Sequence, residues 1–378
     1  MTVQPMKKTV HFILIFFILT GCNSSKTDKD VSMWNPVKRK QFPVDEKVNP
    51  YAIQIEVLTN TDGSQKIYLL DGNNQLLVYD ADSQSLINKV ILEKEGNNGV
   101  GMANGFKLLS PDSILITSKF FQKLFLINSN GSVISTFPFD SEHYTISRTC
   151  SNTLQPIIII DNIWVLPQSL LGNWNTIDKE YFEAYSTTIN YNYKNDEVIK
   201  SGIKLPFHFS RLSSPNFSYN LFNNNLVYSF AASDSLFVID NNMVLKYNAK
   251  TTNIKQLIEG NKSSSVESVL RDKIESGEYS LLLPDSFRNV IYRFYKIGTK
   301  LPKSDINLVE MNSFPPSFGI QVINQNYEVI ADVTFPDNKY FFTNSFVTSD
   351  GLYISINHPL NPEFNVNYFA FDCFVFQK

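Results

Sequence analysis

The chain has 378 residues and a formal net charge of −3. Only 18% of its residues are charged and no basic block occurs, which excludes an electrostatic footprint for nucleic acid. Aromatics reach 13%, with 30 Phe and 18 Tyr; such side chains suit pleated, half-buried surfaces, so the composition leans to an all-β fold.

The first element decides the compartment. Lys7 and Lys8 form a short positive region before an apolar run, Val10 to Leu19, broken only by His11. Met6, directly before them, is a plausible true start. The run is too short to span a bilayer as a helix, and its layout is that of a signal peptide. It ends in Leu19-Thr20-Gly21-Cys22, the pattern of a lipobox. Small residues at 20 and 21 let a peptidase approach the backbone, and the Cys22 thiol would receive the lipid. The reading is therefore a lipoprotein signal peptide over 1–21, a lipidated cysteine and flexible tether over 22–36, and a folded domain over 37–378. Asn23 follows the cysteine in place of the aspartate that marks inner-membrane retention, so the expected location is the cell envelope, lipid-anchored at the outer membrane. Two cysteines remain, Cys150 and Cys373, and either a disulfide or two buried thiols fits them.

Along the domain one pattern recurs. A short apolar run ends at Asp or Asn, a polar turn follows, and a return strand comes next. The markers are Asp80, Asn128, Asn190, Asp240, Asn324 and Asp372, spaced by 48, 62, 50, 84 and 48 residues. Asp and Asn bond their own backbone and start turns. Return strands are expected at 86–92, 133–137, 198–203, 244–247 and 329–333. A further strand precedes most copies, at 66–70, 113–117, 226–230, 290–295 and 351–356. Six units with a period near 50 predict a six-bladed β-propeller, with a β-sandwich or a pair of β domains as the alternative. The sixth unit lacks a return strand, so 39–44 or 51–58 is expected to complete it and close the ring. Two stretches break the rhythm. Residues 170–185 read as a long loop or short helix, and 263–278 read as a capped helix with Val266, Val269, Leu270 and Ile274 at helical spacing.

The lipobox, the motif Asp285-Ser286-Phe287-Arg288-Asn289-Val290-Ile291-Tyr292-Arg293-Phe294, and the runs 344–357 and 368–376 resemble a lipoprotein family known as domain of unknown function 4221. The resemblance covers nearly the whole mature chain. It implies a TolB-like six-bladed propeller held in a Gram-negative envelope, and it carries over no catalytic residue.

Chemistry-bearing motifs are sparse. There is no G-x-S-x-G elbow, no calcium loop, no P-loop and no zinc spacing, so no metal or cofactor is expected. His143, His208 and His358 are dispersed through the domain. Arginine is scarce: Arg39, Arg148, Arg211, Arg271, Arg288 and Arg293. Arg148 and Arg211 each lie near a histidine and aromatics, and Arg293 sits beside Tyr292 in an apolar strand. Arg148, His208, Arg211, Tyr292 and Arg293 are therefore the candidate ligand-binding set, a cationic, aromatic-lined mouth for a carbohydrate or protein ligand. Their other reading is a set of inter-blade salt bridges. Membrane contact is expected only through the N-terminal lipid. A binding or scaffold module is the expected function, with a hydrolase or lyase site on the axis as the alternative.

Overall fold

The computed structural model describes residues 34–376 apart from 139–146, 150, 171–179, 181–184, 196, 202, 205–215, 241–242, 260–264 and 302–305. Cys22, His143, Cys150, His208, Arg211 and most of the 170–185 insert lie outside the described residues, as do the signal peptide and lipobox.

Six antiparallel sheets make a six-bladed propeller. Blade one is β1's neighbour in the ring and holds β2 (Ala52–Thr59), β3 (Gln65–Asp71), β4 (Gln75–Asp80) and β5 (Leu86–Ile91). Blade two holds β6 (Ala103–Ser110), β7 (Ser113–Ser118), β8 (Lys123–Ile127) and β9 (Val133–Pro138). In blade three, β10 (Ser147–Thr149) and β11 (Ile158–Ile160) share the inner position against β12 (Ile163–Leu170), followed by β13 (Thr188–Asn192) and β14 (Glu197–Ser201). Blade four is β15 (Phe217–Phe222), β16 (Asn225–Phe230), β17 (Ser235–Asp240) and β18 (Met243–Asn248). Helix α1 (Val266–Glu275) leads into blade five, made of β19 (Glu278–Asp285), β20 (Val290–Lys296), β21 (Phe318–Ile323) and β22 (Val329–Thr334), with α2 (Leu308–Ser313) between β20 and β21. Blade six is β23 (Phe341–Thr348), β24 (Gly351–Ser355), β25 (Tyr368–Phe374) and, from the other end of the chain, β1 (Lys38–Pro43). The first of the two expected closing segments therefore completes the ring, and the second is the inner strand of blade one.

Burial follows position within each blade. β21 is buried at every residue, whereas the outer strands β9 and β18 alternate between covered and open positions. Strands sandwiched between two blades read as continuous apolar runs, and outer strands with one wet face alternate. The core is correspondingly divided into wedges, one at each blade-to-blade seam. Trp34 packs at the seam of blades five and six against Tyr292, Phe335, Phe374 and Phe376, so the packed chain begins before the expected boundary at 37. The expected helix is present, with Ser265 as its N-cap accepting from Ser268 N–H. Two of the six turn markers are not turns: Asn190 and Asp372 lie inside β13 and β25. Cys373 is a buried free thiol.

The seams are unusually rich in tyrosine. Burial pushes Tyr228 and Tyr279 up to about 12, and pushes Tyr79, Tyr185, Tyr219, Tyr292, Tyr295, Tyr340 and Tyr353 up as well. The folded state thus holds these protons more tightly than the unfolded chain, whose tyrosines titrate near 10.0. Their contribution to stability is complete below that pH and is lost as pH rises from there through the raised folded-state values, about 12 for Tyr228 and Tyr279. Tyrosinate absorbance at 295 nm should rise in one cooperative step together with loss of β-sheet circular dichroism. A gradual rise from all tyrosines with the dichroism intact would contradict the packing.

Candidate functional site: the axial well

The six inner strands run parallel to one another around the axis. The connections that follow each blade's second and outermost strands consequently meet one face of the ring, and the turns that follow its inner and third strands meet the other. Among the described residues the second face carries short turns, such as Asn223-Asn224 and Ser349-Asp350. The first receives α1, α2 and the long connections 92–102, 249–277, 297–317 and 356–367.

Neighbouring inner strands are tied by polar side chains that imitate backbone. Gln54 on β2 donates to Phe106 O (2.8 Å) and accepts from Phe106 N–H (3.0 Å), spanning blades one and two. Asn344 on β23 treats Ala52 the same way, at 2.6 and 2.8 Å, spanning blades six and one. Ser218 on β15 accepts from Leu282 N–H at 2.9 Å, and Asn220 donates to Leu282 O at 3.3 Å, spanning blades four and five. Arg288 in the β19–β20 turn reaches Thr348 O and Ser349 O of blade six, at 3.3 and 2.8 Å, while Asp285 holds its guanidinium at 2.9 Å.

Blade three departs from this plan. Its inner strand is split, and residues 151–157 between β10 and β11 bend in toward the axis. Thr153 Oγ1 donates to Ile53 O of blade one at 3.1 Å. Leu154 O accepts from Ser218 Oγ (2.7 Å) and Tyr219 N–H (3.2 Å) of blade four. Asn152 Oδ1 organises the bend by accepting from Leu154 and Gln155 N–H. The bend passes so close to blade two that a Cβ on Gly105 would stand 2.2 Å from Ser151 O. Gly105→Ala should therefore displace the bend and cost about 1–3 kcal/mol, as overpacking does. A denaturation midpoint equal to that of the parent chain would show that the bend is loosely held.

This plug floors a well on the axis of about 260 Å³. Every blade contributes to it: Glu56 and Val57 from one, Lys107 from two, Thr153 and Ile158 from three, Asn220 from four, Leu283 from five, and Ser345 and Phe346 from six. These positions run from the middle of the inner strands to their short-turn ends, so the well opens on that face. Its charged groups are one pair, Lys107 Nζ at 3.3 Å from Glu56 Oε1. Glu56 also accepts from Leu108 N–H (3.1 Å) and Gln54 Nε2 (3.2 Å), so its oxygens are already engaged.

Of the expected site residues, Tyr292 and Arg293 have described side chains, and neither lines the well. Arg293 corrects the expectation most clearly. It lies on β20, a second strand, and is 0% exposed. Its guanidinium donates to Ser229 Oγ (2.8 Å), Ala249 O (2.9 Å) and Ser233 O (2.6 Å) of blade four, and stacks on Tyr279 at 3.4 Å. It is neither a ligand contact nor a carboxylate pair. It ties two blades, and burial pushes its pKa down to about 10. Tyr292, facing the opposite seam, is also 0% exposed and donates to Asp285 at 2.9 Å. Arg148 belongs to β10, where its backbone pairs with Ser169. The residues that do line the well were missed by sequence reading, because Glu56 and Lys107 look like ordinary alternating strand residues. The one available signal was the turn-rich interruption Ser151-Asn152-Thr153-Leu154-Gln155-Pro156 where blade three needs an inner strand.

The profile of the domain of unknown function 4221 matches residues 35–312. The chain belongs to the DUF4221 family. A crystal structure of a DUF4221 member from Bacteroides vulgatus ATCC 8482 superposes with a TM-score of 0.80 at 25% identity, covering 90% of this chain and 97% of that one. A Bacteroides fragilis NCTC 9343 protein whose name marks it as a proposed export product shares the fold, with a TM-score of 0.58 at 10% identity, 90% of this chain and 95% of that one being covered. No functionally curated protein matches the sequence. For this DUF4221 propeller, the family-like segments 285–294, 344–357 and 368–376 map to inter-blade ties and to the ring closure.

Proposed function

We propose that this DUF4221 chain is an envelope lipoprotein whose propeller is a binding module, with the axial well taking a small polar group of a carbohydrate or protein ligand. The observation that carries this reading is the lining of the well. Six blades converge on a cavity with amide, hydroxyl and ion-pair groups beside Phe346, Ile55 and Val57, a mixture that fixes a polar ligand by hydrogen bonds and covers its apolar face. Its volume suits one sugar ring or one side chain, not a long substrate. Hydrolysis of a glycoside needs two facing carboxyl groups; among the described lining residues Glu56 is the one acid, and its oxygens are engaged.

Anchoring rests on Lys7-Lys8, the apolar run to Leu19 and the lipobox at Cys22, with Asn23 favouring the outer membrane. The name of the Bacteroides fragilis protein, which marks it for export, supports passage out of the cytoplasm. A Cys22→Ser chain should leave the membrane pellet for the soluble fraction, and its retention in the pellet would contradict lipidation. That soluble chain is then the probe for a glycan and peptide array. Specific signals should fall at least ten-fold, about 1.4 kcal/mol, when Glu56→Gln and Lys107→Met are combined; signals unchanged by the pair would place binding elsewhere.

A further inference from the structure

A second pocket lies on the long-connection face, opposite the mouth of the axial well. Three connections of blades five and six build it: α2 with its flanks, the turn at Asn338 between β22 and β23, and His358 to Leu360 between β24 and β25. It encloses about 220 Å³. Leu360 stands at its rim, 66% exposed.

Among the described lining residues, the polar groups offer spare acceptors and no cation. Asn338 is held in the left-handed region at φ 57°, and its backbone N–H donates to Pro316 O at 2.8 Å. Its side-chain oxygen is buried with no hydrogen-bond partner. A buried acceptor left unpaired is costly, and such an atom in a pocket wall is a place for a donor. Glu310 projects from α2 and takes one contact from Asn307 Nδ2 at 3.2 Å, leaving acceptor capacity on its carboxylate. His358 is 1% exposed and has both ring nitrogens in use. Nδ1 accepts from Leu360 N–H at 3.2 Å, which leaves Nε2–H to donate to Phe314 O at 3.3 Å. Burial also lowers its pKa, so the ring is neutral. Lys339, next to Asn338, is directed away, toward Asp372 at 3.8 Å and the Tyr340 ring at 5.2 Å. Behind the pocket, Phe314 packs on Tyr51 and Phe341, at 4.8 and 4.9 Å between ring centroids.

We propose that this pocket binds an organic ammonium ion, its apolar body lodged against Met311, Phe314 and Leu360 and its N–H groups donated to Asn338 Oδ1 and Glu310. The charge in the described lining is one-sided: a carboxylate, an orphan amide oxygen and an aromatic ring all favour a cation, and Glu310 would repel an anion. The site is independent of the axial well and stands whether or not the well binds a ligand.

The test is calorimetric titration of the Cys22→Ser chain with 2-phenylethylamine, 2-phenylethanol and phenylacetate. The amine should bind saturably and more tightly than the alcohol, and phenylacetate should not bind. Glu310→Gln, a change on an exposed helix, should weaken the amine about ten-fold and leave the alcohol unchanged. Asn338→Gly keeps the left-handed backbone available and should weaken both. Thermal melts of each variant matching the parent would show that the fold is kept. A variant that melts early is replaced by Leu360→Trp, which fills the pocket from the rim and should abolish amine binding. Absence of saturable amine binding up to about 10 mM, or amine affinity indifferent to Glu310→Gln, would overturn the proposal.

Discussion

Phe42→Ala should lower the unfolding free energy by about 3–5 kcal/mol, the cost of deleting a fully buried phenyl ring. Phe42 is 0% exposed on β1 and packs on Tyr79 of blade one and Phe371 of β25, at 5.2 and 6.0 Å. It therefore acts on both sides of the joint where the two ends of the chain meet. The same joint is held by Arg39, whose Nε donates to Asp372 at 2.6 Å and whose Nη1 meets Glu363 at 2.6 Å. Asp372 is 1% exposed and also accepts from Tyr340 at 3.0 Å. Deleting 34–43 should do more than Phe42→Ala. It would leave the whole of β25 as an open edge and uncover Cys373 and Phe371. Urea denaturation at constant slope measures the Phe42→Ala effect, and loss of a single cooperative transition is expected for the deletion. A deletion that melts like the intact chain would mean that the ring does not depend on its closure.

Arg293→Met should destabilise by roughly 2–4 kcal/mol through the acceptors it strands. Two effects oppose one another. Removing the guanidinium relieves the desolvation that pushes its pKa down to about 10, and replacing a buried charge by an apolar side chain of similar volume can be neutral or better. Against this, Ala249 O and Ser233 O lie in the connections beside β17 and β18, and Ser229 Oγ is buried within blade four; all three accept from Arg293. Ser229 Oγ and Ser233 O would lose that donor, Ala249 O would keep only a long 3.4 Å bond from Tyr279, and these losses, with loss of the stack on Tyr279, outweigh one relieved charge. Arg293→Lys should fall between the two, since an ammonium is a point charge without the planar fork that reaches three acceptors. Ligand binding in the well should be unchanged in any folded Arg293 variant, because the side chain faces the seam of blades four and five. A stabilising Arg293→Met would show that the charge costs more than its acceptors.

Sequence reading recovered the blades because their signals are local. A short apolar run ending in Asp80, Asn128, Asp240 or Asn324 at a tight turn repeats often enough to count. Ser265 with its spaced apolar residues marked α1 for the same reason. It also foresaw the closing strand, since the last unit was short by one. The markers at Asn190 and Asp372 misled on their local role: Asp372 is mid-strand because a partner 333 residues away, Arg39, needs it there, and no local pattern encodes that. The well was not legible because its residues come from six inner strands whose neighbours in space are about 50 residues apart in sequence. Arg293 was read as a ligand contact on sound local grounds, a charge in an apolar strand. What decided its role was the set of carbonyls of blade four, which a single strand cannot reveal. The same holds for Asp285-Ser286-Phe287-Arg288: as a motif it looks functional, and in space it fastens blade five to blade six.

The measurement that tests the account most directly is hydrogen–deuterium exchange of the soluble mature chain with and without the ligand selected on the array. Occupancy of the well predicts slower exchange in the peptides carrying 54–57, 107–108 and 344–347, together with the plug at 151–157, and little change elsewhere. Protection confined to the outer strands or the long-connection face, with these inner-strand peptides unaltered, would contradict it.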